Sequence, residues 1–501
     1  MATSADPSGT PGASNRRPLR IAVAGASGFV GRAVVEDLRR QYEVVGLSRS
    51  PAKPTPTGPG EVGLRWEQVD LFSLLEVERA LEGVDVALYL VHSMLPSAEL
   101  TQGAFSDFDL ILADNFSRAA RSRGVGHILY LGGLIPEGEQ LSRHLESRLE
   151  VEKTLRAHGV PVTALRASII IGPAGSSLRM VENLVRRLPV MITPAWSQMP
   201  TQTIDRDDVV ALMRWCVEHL DEVSGRVAEI GGPDVVTYRD LMARTARALG
   251  LRRKMIPVSV VSPHLSKLWV SLVTQQPMAL VSPLIESLRH TMIVRDGWLQ
   301  RRAGIPGRRL DASLAQALAG RPQPLIARPR ARIPSRRDVR SVSRLPLPPG
   351  WSAEDVAREY FRWLPEALAP LVFVEFTPNG RFRIHLRGLH RPLLELSHSA
   401  ERSTSDRPLL YISGGSLARL GGPGRGRLEF REVLDGRRVL ACIHSFAPSL
   451  PWQLYQASQA WVHLVVMRAF ELHLQRIARA AQPRIAAQAG GRPSRSSPPS
   501  G

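Results

Sequence analysis

Residues 20–40 are RIAVAGASGFVGRAVVEDLRR, and this stretch decides the fold. The run RIAVA is typical of a buried β-strand, and FVGRAVVEDL has the apolar spacing of a helix. Between them lies Gly25-Ala-Ser-Gly28-Phe-Val-Gly31. In such a motif Gly25 permits a tight turn, Gly28 lets backbone approach a pyrophosphate, and Gly31 lets the helix pack closely on the sheet. Because the first helical turn also offers free N–H groups, the stretch predicts a dinucleotide site.

Strand and helix patterns alternate from this motif as far as Gly172. Apolar strands are predicted at YEVVGLSR, RWEQVDL, VDVALYLVHS, HILYLGG and VTALRASIIIG, with helices between them, including 107–123 and 144–156. Because the strands are apolar throughout, we expect both faces of the sheet to be covered. The pattern predicts an α/β Rossmann fold with a doubly wound parallel sheet. Residues 175–310 are expected to be rich in helix, with one strand at VAEIGG, and to cap the carboxyl ends of the strands.

A different pattern begins near Trp351. A helix at SAEDVAREYFRWLPEAL precedes short runs of alternating polarity, which are separated by turns such as AspGly. This pattern predicts an antiparallel sheet, and a long helix is predicted from Pro451 to Ala480. We therefore expect five regions: a disordered N-terminus at 1–17, a Rossmann domain with a helical substrate side at 18–310, an Arg/Pro-rich linker at 311–345, a C-terminal α+β domain at 346–481 and a disordered tail at 482–501.

Composition narrows the class of protein. A chain of 501 residues, 44% hydrophobic and 22% charged, is typical of a globular protein with two or three domains. Its net charge of +19 is concentrated in 301–345, where arginines are frequent. This concentration favours a solvated linker, and an anionic partner is the alternative. Two cysteines, Cys216 and Cys442, exclude a disulfide framework and a cysteine-rich zinc site.

Targeting and membrane signals are weak. The first residues lack the apolar core of a secretory signal, so we expect a cytoplasmic protein. An uncharged apolar run at 268–285 contains two Gln and two Pro. Since a span needs about 20 mostly apolar residues, a core or interface helix pair is favoured. The alternative is shallow contact, which would make the protein peripheral at the inner membrane face. Nucleic-acid binding is not expected, because the basic segment lacks interleaved aromatic residues.

The end of the second predicted strand distinguishes NADP from NAD. An NAD site usually has Asp or Glu about 20 residues beyond the first glycine. This chain has Leu47-Ser48-Arg49-Ser50 there, and a guanidinium matches the geometry of a 2′-phosphate. NADP is therefore the predicted cofactor, with NAD as the alternative. Further predicted cofactor contacts are Ser27, Phe29, Val30, Leu90, Val91, His92 and Gly132. Asp70 and Leu71 are also predicted contacts, and we expect them beside the adenine.

Several motifs together resemble a known family. GASGFVG, VDL, YLVHSM, YLGGL and RASIIIGP follow one another as in atypical short-chain dehydrogenases/reductases of the epimerase-like, NmrA-like kind. YLVHSM and VTALRASIIIGP are similar to a bacterial subgroup of NAD(P)-binding proteins with an added C-terminal domain. The resemblance covers 18–310 and implies a Rossmann fold and NAD(P), but no substrate. The last strands and long helix resemble a START-like helix-grip domain, which implies an apolar cavity that Trp452, Tyr455, Trp461 and Met467 could line; core packing is the alternative.

The catalytic pair of that family is missing. The resemblance implies a Tyr followed four residues later by Lys, but none of the seven tyrosines has such a Lys. His144 and Arg148 have this spacing after the fifth strand, and Gly132-Gly133 replace the usual Ser. Three interpretations stay open. His144 is a substitute acid/base near neutral pH and Arg148 holds the ribose; the fold binds the dinucleotide without turnover; or these residues have neither role.

The sequence thus predicts an NADP(H)-binding oxidoreductase that acts on a small hydrophobic molecule. A non-catalytic NADP(H)-binding sensor or assembly factor is one alternative, and a peripheral membrane or lipid-handling protein is another. No metal site is predicted, because His444, His463 and His473 have no acid or thiol at a ligand spacing. The substrate, the reaction direction and the oligomeric state are not predicted.

Overall fold

The computed structural model describes residues 17–49, 62–92, 100–138, 140–258, 285–319, 339–377, 380–420 and 426–489. The strands of the N-terminal half are β1 (Arg20–Ala24), β2 (Glu43–Ser48), β3 (Leu64–Gln68), β4 (Val86–Tyr89), β5 (Leu100–Gln102), β6 (His127–Gly133), β7 (Val162–Ala167), β8 (Ile170–Ile171), β9 (Val190–Pro194), β10 (Pro200–Gln202), β11 (Ile204–Asp205), β12 (Val227–Ile230), β13 (Val235–Thr237) and β14 (Lys254–Val258). Its helices are α1 (Phe29–Leu38), α2 (Leu74–Ala80), α3 (Phe105–Ser122), α4 (Arg143–Arg156), α5 (Ser176–Arg187), α6 (Arg206–Glu218), α7 (Leu220–Val223), α8 (Tyr238–Ala248), α9 (Trp298–Ala303) and α10 (Leu310–Leu318).

Seven of these strands form the central parallel sheet, in the order β3-β2-β1-β4-β6-β7-β12. Helices α2, α3 and α4 pack on one face, and α1 and α6 pack on the other. The chain changes direction across the sheet between β1 and β4, and ligands of such sheets bind at the carboxyl ends beside that point. The predicted Rossmann fold is confirmed, and the glycine motif lies at this position.

The region after β7 contains more strands than predicted. Residues 227–230 join the main sheet as β12, and the sixth predicted strand divides at Ser168 into β7 and β8. The remaining short strands pair as β8–β11, β9–β14 and β10–β13. Because each has only two to five residues, their sequences are too short to show a strand period.

The C-terminal half is an α+β domain, as predicted. Its elements are β15 (Val339–Pro346), α11 (Ala353–Ala367), β16 (Val372–Thr377), β17 (Arg381–Leu386), β18 (Leu394–His398), β19 (Leu409–Gly414), β20 (Arg427–Val433), β21 (Arg438–Phe446), α12 (Trp452–Ala457) and α13 (Gln459–Ala489). The sheet order is β16-β17-β18-β19-β20-β21-β15-β5, antiparallel except for the parallel pair β15–β5. Helices α11 and α13 bury aromatic residues such as Phe361 and Phe470 against this sheet.

The boundaries of the predicted linker and tail differ from expectation. Helix α10 occupies the start of 311–345 because Leu310 and Leu314 are buried against the N-terminal half. Strand β15 occupies its end because Val339 and Leu345 are buried under the C-terminal helices. Helix α13 continues past 482 to 489. The rest of the linker (320–338), the rest of the tail (490–501) and 1–16 lie outside the described residues.

The two halves share an apolar interior. Val342 and Leu440 of the C-terminal sheet lie in one cluster with Phe108 and Phe116 of α3. Strand β5 comes from the N-terminal half but pairs with β15, so the C-terminal sheet ends on a strand of the other half. The halves are therefore joined by both packing and backbone hydrogen bonds.

Every helix in the described part of the chain is either too short or too polar to span a bilayer. The apolar run predicted at 268–285 lies outside the described residues except for Ile285.

Candidate cofactor and active site

The glycine turn has the geometry that its sequence predicts. Gly25 has φ +85°, and a Cβ there would lie 2.9 Å from the carbonyl oxygen of Leu90 at the end of β4. A Cβ on Gly31 would lie only 2.2 Å from the carbonyl oxygen of Gly25. Gly28 precedes α1, so the first turn of the helix begins at this loop. Side chains at positions 25 and 31 would collide with backbone, so these two positions need glycine.

The end of β2 lies beside this turn. The Ser48 hydroxyl is 3.2 Å from the Ser27 hydroxyl, so the predicted 2′-phosphate residues and the glycine loop are neighbours. Arg49 is exposed, and its carbonyl accepts a hydrogen bond from Gln68 of β3. The structure thus brings Ser27, Ser48 and Arg49 together at one edge of the crevice.

Phe29 and Val30 begin α1 and are half-buried. A Cβ on Gly172 or Gly175 would lie 3.0 or 3.1 Å from the Phe29 ring. The segment after β8 and the start of α5 therefore pack against the glycine loop, as expected for the substrate side.

Asp70 has a partner that the sequence did not predict. Its carboxylate forms an ion pair with Arg340 of β15, which is 5% exposed and also lies 4.9 Å from the Phe72 ring. Asp70 also accepts a hydrogen bond from the Phe72 amide at 3.1 Å, and Leu71 beside it is buried in the shared interior. Contact of Asp70 with adenine stays a prediction, whereas its contact with the C-terminal half is observed.

The segment after β4 meets the first half of α4 at a buried group of polar side chains. His92 donates from Nδ1 to the Asp109 carboxylate at 3.1 Å, and Arg148 pairs with the same carboxylate. Arg148 also donates to the Val91 carbonyl at 3.4 Å, and the His144 ring is centred 5.1 Å from that of His92. The predicted residues His92, His144 and Arg148 therefore lie together.

Both imidazoles of this group are neutral at pH 7. Burial, followed by the charge of Arg148, lowers the pKa of His92. Burial, followed by His92 and Arg148, lowers the pKa of His144 to about 3. This differs from the expectation that His144 titrates near neutral pH, because removal from water disfavours the imidazolium. His92 Nε2 and His144 Nδ1 are buried, and neither has a hydrogen-bond partner among the described residues.

Arg148 is more enclosed than a ribose-binding residue was expected to be. Its side chain is 6% exposed, and Asp109 together with Tyr130 and Tyr89 raises its pKa against the effect of burial. Its backbone carbonyl accepts a hydrogen bond from the Tyr130 hydroxyl at 3.1 Å. A Cβ on Gly132 would lie 2.7 Å from the Tyr130 ring, so this glycine keeps the end of β6 close to that tyrosine. Arg148 holds Asp109, and a direct role towards ribose stays a prediction.

Asp109 is the buried acid of this group that sequence reasoning missed. It lies on α3, 1% exposed, and also accepts a hydrogen bond from the Ser147 hydroxyl at 3.4 Å. A signal was present, because Asp109 falls between Phe108 and Leu112 on the apolar face of α3. An acid at such a position needs a partner when it is buried.

Arg166 at the end of β7 makes a bidentate pair with Glu152 of α4 at 2.9 and 3.1 Å, so it is engaged away from solvent. Within the described residues no three His, Cys, Asp or Glu side chains converge as a possible metal site.

One stretch of the N-terminal half matches a known protein family. Residues 21–231 match the sequence profile of the NAD dependent epimerase/dehydratase family. This family match includes β1 to β12 and therefore the whole central sheet, but less than half of the chain.

Two curated relatives illustrate the range of proteins that are similar. Auxiliary protein GraX of Staphylococcus aureus is 29% identical over 143 residues, which are 28% of this chain and 42% of that protein. The (4-alkanoyl-5-oxo-2,5-dihydrofuran-3-yl)methyl phosphate reductase of Streptomyces griseus is 27% identical over 231 residues, 46% of this chain and 74% of that protein. The chain thus spans less than half the length of GraX. Among solved structures, the NADPH-dependent quinone oxidoreductase QOR2 of Escherichia coli, complexed with NADPH, has 20% identity and a TM-score of 0.47, covering 59% of this chain and 98% of that one.

Proposed function

We propose that this protein binds NADP(H) at the glycine turn and transfers hydride between the nicotinamide and a small hydrophobic molecule. The observation that carries the proposal is the cradle at Gly25 and Gly31, where any side chain would collide with backbone. Such close packing leaves the N–H groups of α1 open to a pyrophosphate. Ser27, Ser48 and Arg49 support NADP over NAD, because Arg49 can pair with a 2′-phosphate and no acid stands there. The family match over 21–231 supports a nicotinamide cofactor of either kind.

His144 has a role in this proposal that differs from that of a charged acid. With a pKa of about 3 it carries no proton to give at pH 7 as an imidazolium. A neutral imidazole can still donate one N–H hydrogen bond, and a donor aimed at a substrate oxygen stabilises the negative charge that develops during hydride transfer. The proton that completes the alcohol then comes from solvent. His92, fixed by Asp109 at 3.1 Å, packs against His144 and restricts its position. Arg148 fixes Asp109 in turn, so the three residues act as one support.

The cofactor is tested by calorimetric titration with NADPH and with NADH. Gly31→Ala is expected to weaken NADPH binding at least about tenfold, since the loop must move to admit a Cβ. Gly126→Ala is the matched control, because a Cβ there has its nearest contact at an ordinary 3.4 Å. Arg49→Asp should weaken NADPH binding about tenfold or more and leave NADH unchanged. Equal affinity of wild type and Gly31→Ala for NADPH would refute this site.

Turnover is tested by NADPH oxidation against a panel of hydrophobic aldehydes, ketones and quinones. His144→Phe should lower kcat about a hundredfold while NADPH affinity stays within about twofold. The control is His398→Ala, because His398 is an exposed residue of β18. Because a neutral donor needs no protonation, kcat should not fall between pH 6 and 8 through His144. A kcat that follows a titration near pH 6.5 and is lost in His144→Phe would contradict the neutral role.

A non-catalytic NADP(H) sensor is the second candidate. The Arg148–Asp109 ion pair favours it, because Arg148 is held by protein groups rather than left for a ribose. In that case calorimetry detects binding of the cofactor, but no compound of the panel causes oxidation of NADPH.

We also propose a helix-grip, START-like arrangement for the C-terminal half. Its order is strand, helix, six antiparallel strands and helix, and the first strand β15 lies beside the last, β21. An apolar ligand cavity has less support. Tyr455 and Met467 are 4% exposed within the core, Trp461 is 67% exposed, and the side chain of Trp452 lies outside the described part.

A further inference from the structure

A second cleft lies on the substrate side of the N-terminal half. It has a volume of about 540 Å³ and is bounded by α8 and by the segment that leads into β14. Four arginines line it: Arg239, Arg247, Arg252 and Arg253. Asp240 is the one acid among the described residues that line it, so these residues carry a net charge of +3.

Among the described residues, three of these guanidinium groups have no anionic partner. Within the described part of the chain, Arg239, Arg247 and Arg252 make no ion pair or side-chain hydrogen bond. By contrast Arg244, on the same helix but outside the cleft, pairs with Asp311 at 3.0 Å. Cations that are gathered on one wall repel one another unless an anion joins them.

The remaining charged residues of the cleft are already engaged. Arg253 donates to the Val185 carbonyl at 2.5 Å and to the Arg186 carbonyl at 3.2 Å, so it closes the last turn of α5. Asp240 accepts hydrogen bonds from the amide and hydroxyl of Thr237, at 3.2 and 2.9 Å, as part of the cap of α8. The acid therefore does not neutralise the three unpaired arginines by direct contact.

We propose that this cleft binds a phosphate-type anion that carries an apolar chain. Several guanidinium groups around one space match the oxygens of a phosphate, which accept paired hydrogen bonds. Leu251 and Met255 line the same space, so an alkyl chain would contact them. A soluble phosphate monoester and the headgroup of an anionic lipid both present this chemistry.

The cleft is separate from the cofactor turn. Helix α5 starts beside Phe29 and ends at the carbonyls that Arg253 caps. Its 12 residues rise about 18 Å. A dinucleotide phosphate at the glycine turn is thus one helix length away, and the two sites can be occupied together.

The first test uses decyl phosphate, below its micelle concentration, in calorimetric titrations with and without saturating NADPH. The variant is Arg239→Gln/Arg247→Gln/Arg252→Gln. The control, Arg301→Gln/Arg358→Gln/Arg468→Gln, changes the net charge equally at side chains that are 65–72% exposed. We expect the cleft variant to lose at least about tenfold in affinity and the control to stay within about twofold.

The second test is flotation with phosphatidylcholine vesicles, with and without phosphatidylglycerol. Binding of decyl phosphate without flotation assigns a soluble ester, and flotation that needs phosphatidylglycerol and the three arginines assigns a lipid headgroup. Binding of neither probe, or an equal loss in the control, overturns the proposal. Failure of NADPH to bind would refute the proposed cofactor and leave the result at the cleft unaffected.

Discussion

The ion pair between Arg431 and Asp114 joins the two halves in a fully buried place. Arg431 of β20 is 0% exposed, and its guanidinium lies 2.7 Å from the Asp114 carboxylate and 2.6 Å from the Asn115 amide oxygen, both on α3. It also donates to Glu429 on its own strand at 2.6 Å. Arg431→Met would keep most of the volume and remove the charge, leaving two buried carboxylates with fewer partners.

The loss of stability in Arg431→Met depends on the cations that still pair with the two carboxylates. Breaking a buried pair from one side costs about 3–5 kcal/mol. Glu429 would keep Arg407 at 3.0 Å, and Asp114 would keep Arg118 at 2.8 Å. Since both carboxylates retain a cation, we expect the lower figure, about 3 kcal/mol in the free energy of unfolding.

The pH dependence has a definite sign. Arg118 and Arg431 hold the pKa of Asp114 below its ordinary value, and Arg431 and Arg407 do so for Glu429. A depressed carboxyl pKa contributes stability above the unfolded pKa of about 4, and this contribution is lost as pH falls further. The difference between wild type and Arg431→Met should thus be largest near pH 7 and should shrink below pH 4.

Urea unfolding of the whole chain, followed by tryptophan fluorescence at pH 7 and at lower pH, measures this difference. Arg358→Met is the matched control, because Arg358 is 70% exposed and its ion pairs are worth less than about 1 kcal/mol. If Arg431→Met destabilises the protein no more than Arg358→Met, the buried pair is not what joins the halves.

Two further predictions concern stability away from the site. His127 is buried, and because Thr163 donates its hydroxyl to a backbone carbonyl, His127 Nε2 must donate to Thr163; burial lowers the pKa of His127 to about 4. As the pH falls from 6.5 to about 4, the free energy of unfolding of the wild type should decrease by up to about 3 kcal/mol more than that of His127→Gln, because glutamine cannot titrate. Equal decreases in the two proteins would contradict this. Gly415→Ala should cost more than about 2 kcal/mol in urea unfolding, since φ is +112° and a Cβ would lie 2.4 Å from the Leu393 carbonyl oxygen. Gly124→Ala, with φ +69° in open space, should cost only about 1 kcal/mol, and equal costs would refute the steric argument.

Local signals could be predicted from the sequence, and long-range partners could not. The turn at Gly25 follows from a strand, a glycine motif and a helix within a few residues. The neighbourhood of His92 and His144 follows from their places after two parallel strands. Arg340 is the opposite case, because it belongs to a basic stretch that suggests solvent but is 5% exposed beside Asp70. Arg340 is paired with Asp70, which is 270 positions away in the chain, and local composition cannot predict such a contact.

The path of the chain ties the candidate active site to the C-terminal half. His92 follows β4, β5 pairs with β15 of the C-terminal sheet, and α3 then carries Asp109 back to His92. His92 and Asp109 therefore lie on either side of β5, which is hydrogen-bonded to the C-terminal half. Because Val342 and Leu440 also cover α3, removal of the C-terminal half would expose the shared interior and release β5 together.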